Sequence, residues 1–249
     1  MPNAGNSKAW DRYAYTTNNP LRYIDPTGHC SGNASNPDNP DAACWSQLTE
    51  IENKYTNVDI DPAKWTTSEL EDVEDGLDAL SYVFGGAEQF SSVVGDISLA
   101  RRGKTFTDYI DFLWGDPADT AAYTDITNGA VTFYDYSFDQ DYELQINLFH
   151  EVGHVFSVNN PEAYSEYISE FWECKNFSCQ MKEKEFGLPA SPYGGTSPLE
   201  DFAESFAIAI WMRNEKYTTS LLPKGAPFLP DNDRWENINN ILDRYGNKE

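Results

Sequence analysis

A chain of 249 residues with 40% hydrophobic and 14% aromatic side chains can bury a sizeable core. That excludes wholesale disorder and suits one main domain plus a small extra piece. Its 41 acidic against 17 basic side chains leave a formal charge of −24 and a pI near 4.2, which argues against nucleic acid or an anionic membrane as partner, because both attract basic patches. A basic or neutral protein partner is the expectation. No apolar run approaches the roughly 18 residues of a spanning helix, so no membrane insertion is expected. The N-terminus carries no charged-then-apolar leader, and Met1 reads as the start of a fragment of a larger chain.

Residues 1–30 alternate bulky and polar side chains at Trp10–Tyr15, turn at Asn18-Asn19-Pro20, alternate again at Leu21–Ile24 and turn at Asp25-Pro26-Thr27-Gly28. This is the pattern of a small hairpin-like tail that needs a larger sheet to pack on. Residues 31–45 are rich in Ser, Asn, Pro and Asp and read as a linker; the segment 31–66 is taken as linker and N-terminal extension. Helical spacing begins near Thr67-Ser68, with Leu70, Val73, Leu77, Leu80 and Val83 on one face and Gly85-Gly86 as the stop. Apolar segments at 88–100 and 107–114 are read as further helices. Ala130–Tyr136 is β-prone and reads as a strand whose edge can pair with an extended substrate. The acids Asp135, Asp139, Asp141 and Glu143 raise calcium binding, but their spacing fits no EF-hand, and a solvated acidic face is the better reading. Polar residues 161–174 form a helix, and 231–245 form a last one carrying Trp235, Ile238, Ile241, Leu242 and Tyr245. The four cysteines fall as two local pairs, Cys30 with Cys44 and Cys174 with Cys179. That spacing suits disulfides in an exported protein, the competing reading being four free thiols.

The chemistry concentrates at His150-Glu151-Val152-Gly153-His154, which uses two of the three histidines in the chain. Four residues apart on a helix, His150 and His154 lie nearly above one another and can reach one metal ion, whereas Glu151 projects to the side as a base for the metal's water. Leu144, Leu148, Val152, Val155 and Phe156 fall on the opposite face, and Gly153 leaves room for another backbone to come close. The acids of Asp141-Tyr142-Glu143 sit in the first turn, where the helix dipole favours them.

A catalytic zinc takes three protein ligands and keeps a fourth position for water, so a third donor is required. Ser197 is a suitable cap and Pro198 a suitable first residue for a helix in which Glu200 and Glu204 lie one turn apart. One can ligate while the other orients a histidine. Ser197-Pro198-Leu199-Glu200 also fits a capping box; if Glu200 closes that box, Glu204 becomes the ligand, with Asp201 as the third choice. Tyr193 precedes Gly194-Gly195, where a phenol can donate to a developing oxyanion or to a leaving amine, against the ordinary alternative of packing.

Two resemblances sharpen these readings. Arg12–His29, RYAYTTNNPLRYIDPTGH, resembles the end of the Rhs-repeat-associated core of bacterial toxin-complex proteins, in which the variable region after the DPxG turn is the delivered effector. The resemblance implies that residues 1–30 are the tail of such a core, secreted or delivered as part of a larger exported protein. It also implies that an Rhs shell and an immunity protein are partners; Asp25 matches a self-cleavage aspartate whose upstream counterpart is absent from this sequence. HEVGH followed by YGGTSPLEDFAESF resembles the catalytic domain of the anthrax lethal-factor-like metallopeptidases. It implies a zincin-like α+β domain over 67–249, mainly helical, with a small sheet packed on the HExxH helix. It further implies zinc held by His150, His154 and Glu200, Glu204 behind them, Glu151 as base, Tyr193 facing the substrate, and peptide-bond hydrolysis in a protein or peptide. Pro198 and Asp201 depart from that family's pattern. The GTxxxE portion resembles the aspzincins, which carry Asp where Glu200 stands. The competing functional class is a non-enzymatic tip domain that binds a receptor or partner protein around a closed, four-ligand structural metal.

Overall fold

The computed structural model describes residues 30, 42–103, 121–138, 143–175, 178–182, 189–214 and 232–246. The Rhs-like stretch 12–29 and the apolar segment 107–114 lie outside them. Among the described residues the fold is α+β and mainly helical, with seven α-helices around a four-stranded sheet and a separate two-stranded hairpin.

The first element is α1 (Ala42–Lys54), which buries Cys44, Leu48 and Ile51. It is followed by β1 (Val58–Ile60), whose residues alternate buried, exposed, buried. The linker reading of 31–45 is therefore corrected at its end, where residues 42–45 already belong to α1. A Pro- and Asp-rich lead-in hid a helix whose apolar stripe at 44, 48 and 51 joins the main core. The disulfide Cys30–Cys44 and the hydrogen bond from Cys30 N–H to Trp65 O (2.7 Å) moor residue 30 to this unit.

Helix α2 (Thr67–Phe84) begins at a complete capping box, in which Thr66 Oγ1 accepts from Glu69 N–H at 3.2 Å and Glu69 Oε2 from Thr66 N–H at 2.8 Å. It ends at Gly85 with φ 83°, a left-handed conformation in which glycine avoids the Cβ penalty. Leu70, Val73, Leu77 and Leu80 are fully buried, as their spacing requires. Helix α3 (Ala87–Val94) follows, but the rest of the apolar run 88–100 is not helical: Ile97–Arg101 forms β2, a short parallel strand with Ile97 and Leu99 turned into the core.

The sheet runs β1-β2-β4-β3, where β3 is Ala122–Asp125 and β4 is Ala130–Phe133. The pairs β1–β2 and β2–β4 are parallel and β4–β3 antiparallel. The strand expected before the histidine helix is thus present as β4, but it lies between β2 and β3 and offers no free edge. The last two residues of the expected strand, Asp135 and Tyr136, belong instead to a 3-10 turn, Asp135–Phe138. Asp135 pairs with Arg101, which accounts for its charge without calcium; Asp139 and Asp141 lie outside the described residues.

Helix α4 (Glu143–Asn159) packs against β3 and carries the histidine motif. Leu148, Phe149, Val152 and Phe156 are fully buried and Leu144 and Val155 nearly so. Each large apolar side chain contributes roughly 1.5–3 kcal/mol on burial. Helix α5 (Pro161–Phe171) leads into the hairpin β5 (Trp172–Lys175) and β6 (Ser178–Met181), closed by Cys174–Cys179. Helix α6 (Pro198–Arg213) packs directly on α4, and α7 (Asn232–Tyr245) closes the far side with Ile238, Ile241 and Leu242 fully buried. Phe156 stacks on Phe202 at 6.1 Å and tilts against Phe206 at 5.3 Å, so the α4–α6 crossing is largely aromatic. No helix among the described residues is long and apolar enough to cross a membrane.

Candidate metal centre

The site forms where α4 and α6 approach most closely. Gly153 permits the approach: a Cβ there would stand 3.1 Å from Ala203 Cα and 3.2 Å from Phe206 Cδ1. On α6, Ser197 caps the helix, its Oγ accepting from Glu200 N–H at 3.2 Å, and Pro198 occupies the first turn. Only half of the expected capping box is present. The Glu200 carboxylate turns to the histidines, with Oε2 3.1 Å from His150 Nε2 and 3.4 Å from His154 Nε2.

His150, His154 and Glu200 are brought together so that one donor atom from each lies within 4.8 Å of the others. Donors bonded to a tetrahedral zinc at about 2.0–2.1 Å stand about 3.4 Å apart. The two contacts to Glu200 Oε2 are therefore of the size this donor set requires. Glu204, one turn on, lies behind His150 with Oε1 3.2 Å from Nδ1. Without a metal both His150 nitrogens face carboxylates; with an ion on Nε2, Glu204 would keep the proton on Nδ1 and so hold the ring in the ligating tautomer. The two imidazoles meet edge-on at 4.7 Å. His154 Nδ1 is buried with no protein partner among the described residues.

Asp201, third choice as a ligand, is removed from that role. It is fully buried and points away from the imidazoles, accepting from Trp172 Nε1–H at 2.9 Å, Ala190 N–H at 3.0 Å and Arg234 Nε–H at 3.1 Å.

Glu151 is nearly buried and accepts a hydrogen bond at Oε2 from Thr124 Oγ1–H. Sequence reasoning missed Thr124, because nothing in Ala122-Tyr123-Thr124-Asp125 marks it as facing a carboxylate 27 residues away. It sits on β3, the edge strand, paired with Val131. Tyr134 N–H donates to Ala121 O at 2.9 Å, so by antiparallel alternation the peptide groups of Ala122 and Thr124 face away from β4, on the side of β3 where no strand pairs among the described residues. Tyr193 lies at the rim, 57% exposed, its ring 6.1 Å from that of His150.

The electrostatics follow from this crowding. Burial disfavours a charge on His150, but hydrogen bonds to Glu200 and Glu204 outweigh it and push its pKa up to about 10. Burial likewise disfavours the Glu200 carboxylate, yet the two imidazoles bring it down to about 2. For Tyr193, burial and the nearby carboxylates act in the same direction and push the phenol up to about 12, so it remains a donor at neutral pH. Without a metal, this carboxylate-rich cluster holds a proton on His150 that a divalent ion must displace.

No protein-family model matches this chain, and a search of curated proteins finds no match.

Proposed function

We propose that residues 42–246 form a zincin-type metallopeptidase domain that hydrolyses peptide bonds in a protein substrate, the effector portion of an Rhs-type exported protein. The observation that carries this reading is the convergence of His150, His154 and Glu200, from helices 50 residues apart in sequence, with Glu151 next to His150 along the same helix. Among the described residues no fourth His, Cys, Asp or Glu joins the group, which favours a position open to water over a closed structural site. The two disulfides agree with an exported protein, and the charge of −24 favours basic or neutral substrates.

His150 and His154 through Nε2, together with Glu200, would hold the ion, and zinc suits this nitrogen and carboxylate set. When bound, zinc polarises the scissile carbonyl and acidifies the attacking water. The remaining steps belong to the chain. An extended substrate pairs with the open peptide groups of Ala122 and Thr124, which sets its carbonyl over α4. Thr124 holds Glu151 Oε2, leaving Oε1 to take a proton from water as the oxygen bonds to the carbonyl carbon. Tyr193 donates to the developing oxyanion. Glu151 then returns the proton to the nitrogen as the C–N bond breaks.

The test is Glu151→Gln, assayed with a fluorescent casein probe alongside metal analysis. Metal content is retained and cleavage falls by about 10²–10⁴-fold, the usual contribution of a general base. A zinc-loaded wild type inert toward casein and unfolded proteins, or a fully active Gln variant, overturns the proposal.

A further inference from the structure

Asp201 directly follows Glu200, yet its contacts tie together elements that are otherwise separate. Oδ2 accepts from Trp172 at the start of β5 and from Arg234 of α7, and Oδ1 accepts from Ala190 N–H. Arg234 is fully buried, and its guanidinium lies 4.5 Å from the Phe171 ring. Ala190 is three residues before Tyr193, and a chain of short-range contacts leads from one to the other. Ser191 Oγ accepts from Gly194 N–H at 2.9 Å, Ser191 O from Gly195 N–H at 3.1 Å, and Tyr193 O from Thr196 N–H at 2.9 Å. The far side of the loop also rests on the same residue, because a Cβ at Gly194 would stand 3.2 Å from Asp201 Cα.

We infer that Asp201 is the positioning residue for Tyr193, the carboxylate that holds the 189–196 loop so that the phenol stands beside His150. A buried carboxylate is satisfied only while its donors stay in place. Movement of the loop at Ala190 strips a donor from a charged acceptor that water does not reach, and such losses are strongly opposed. The carboxylate is therefore a stiff reference point shared by the ligand helix and the tyrosine loop. Glu200 and Tyr193 are set from adjacent residues of α6, which keeps their spacing constant if α6 shifts as a unit. This inference rests on the proposed function only for what Tyr193 does, not for what holds it.

Two variants test it, Asp201→Asn, which keeps the shape but loses acceptor capacity, and Trp172→Phe, which removes one donor and retains the ring. In the metal-free protein, amide hydrogen exchange over 190–196 rises by about tenfold while exchange in α4 is unchanged, the signature of a local opening. Zinc content stays at the wild-type level. Casein turnover falls by about tenfold or more, as small misplacements of a catalytic group do, and by less than twofold when Tyr193 is already Phe. Unchanged exchange over 190–196, equal acceleration in α4, or the same loss of turnover in the Tyr193→Phe background overturns the assignment. If wild type never cleaves casein, the peptidase reading fails and the exchange comparison alone decides whether Asp201 holds the loop. If Asp201→Asn does not fold, Trp172→Phe carries the same comparisons.

Discussion

Gly153→Ala perturbs the helix crossing on which the site depends. The added methyl meets Ala203 Cα at 3.1 Å and Phe206 at 3.2 and 3.3 Å. Ala203 Cα is backbone and cannot rotate away, so α6 must retreat from α4 by a few tenths of an ångström. Overpacking of this kind costs about 1–3 kcal/mol, and replacing glycine in a helix interior returns about 1 kcal/mol. The net is a destabilisation of about 0–2 kcal/mol, a fall of a few degrees in Tm for a domain of this size. Glu200 and Glu204 flank Ala203 on α6, so the same retreat draws both carboxylates away from His150, and zinc affinity drops by about tenfold, as for other disturbances behind metal ligands. Urea unfolding with a chelator present measures the first effect, and competition with a chromophoric chelator measures the second. A variant more stable than wild type with undiminished zinc affinity would refute the claim that this glycine sets the spacing between the helices.

Zinc in excess stabilises the folded chain by linkage, about 2.7 kcal/mol at a hundred times Kd; thermal melts with and without zinc detect the shift, and Glu200→Gln abolishes it, whereas persistence in that variant would move the ligand role elsewhere. The metal-free protein has a defined pH response. Protonated His150 contributes fully below its ordinary 6.5 and loses that contribution as pH rises through about 10, while ionised Glu200 contributes fully above its ordinary 4.5 and fades as pH falls toward about 2. Stability from this pair is therefore greatest between 4.5 and 6.5 and declines toward alkaline pH. With zinc bound the alkaline decline is offset, because metal binding displaces the proton; indistinguishable melts at pH 6.5 and 10 under chelation would contradict it. Thr124→Val retains zinc and fold but lowers casein turnover by about tenfold, since the base loses the hydroxyl that holds it, and Thr124→Ser restores it; unaltered turnover in the Val variant would show that Glu151 needs no such hold.

The site was legible in the sequence because both of its halves are helical. A fixed 3.6-residue period places His150 with His154, and Glu200 with Glu204, without knowledge of the fold. The choice of Glu200 over its capping role was not legible, since Ser197-Pro198-Leu199-Glu200 satisfies the local rule either way, and only the approach of α4 decides it. Local rules also failed where strands are short and partners distant. Ile97–Arg101 reads as the end of a helix until β1 and β4 flank it, and Ala122–Asp125 carries no alternating signal strong enough to mark an edge. Helix α1 was masked by the composition of the residues before it. The contacts of Asp201 join residues 11, 29 and 33 positions away, a separation that no periodicity encodes.

The Cys30–Cys44 bridge spans a 14-residue interval whose ends are held by sulfur as well as by peptide bonds. A protease that nicks the interval between them leaves two polypeptides still coupled, running as one band on a non-reducing gel and as two once thiol is added. A cut inside this interval thus releases whatever precedes residue 30 only together with a reducing event, in either order, whereas a cut before Cys30 releases it by hydrolysis alone.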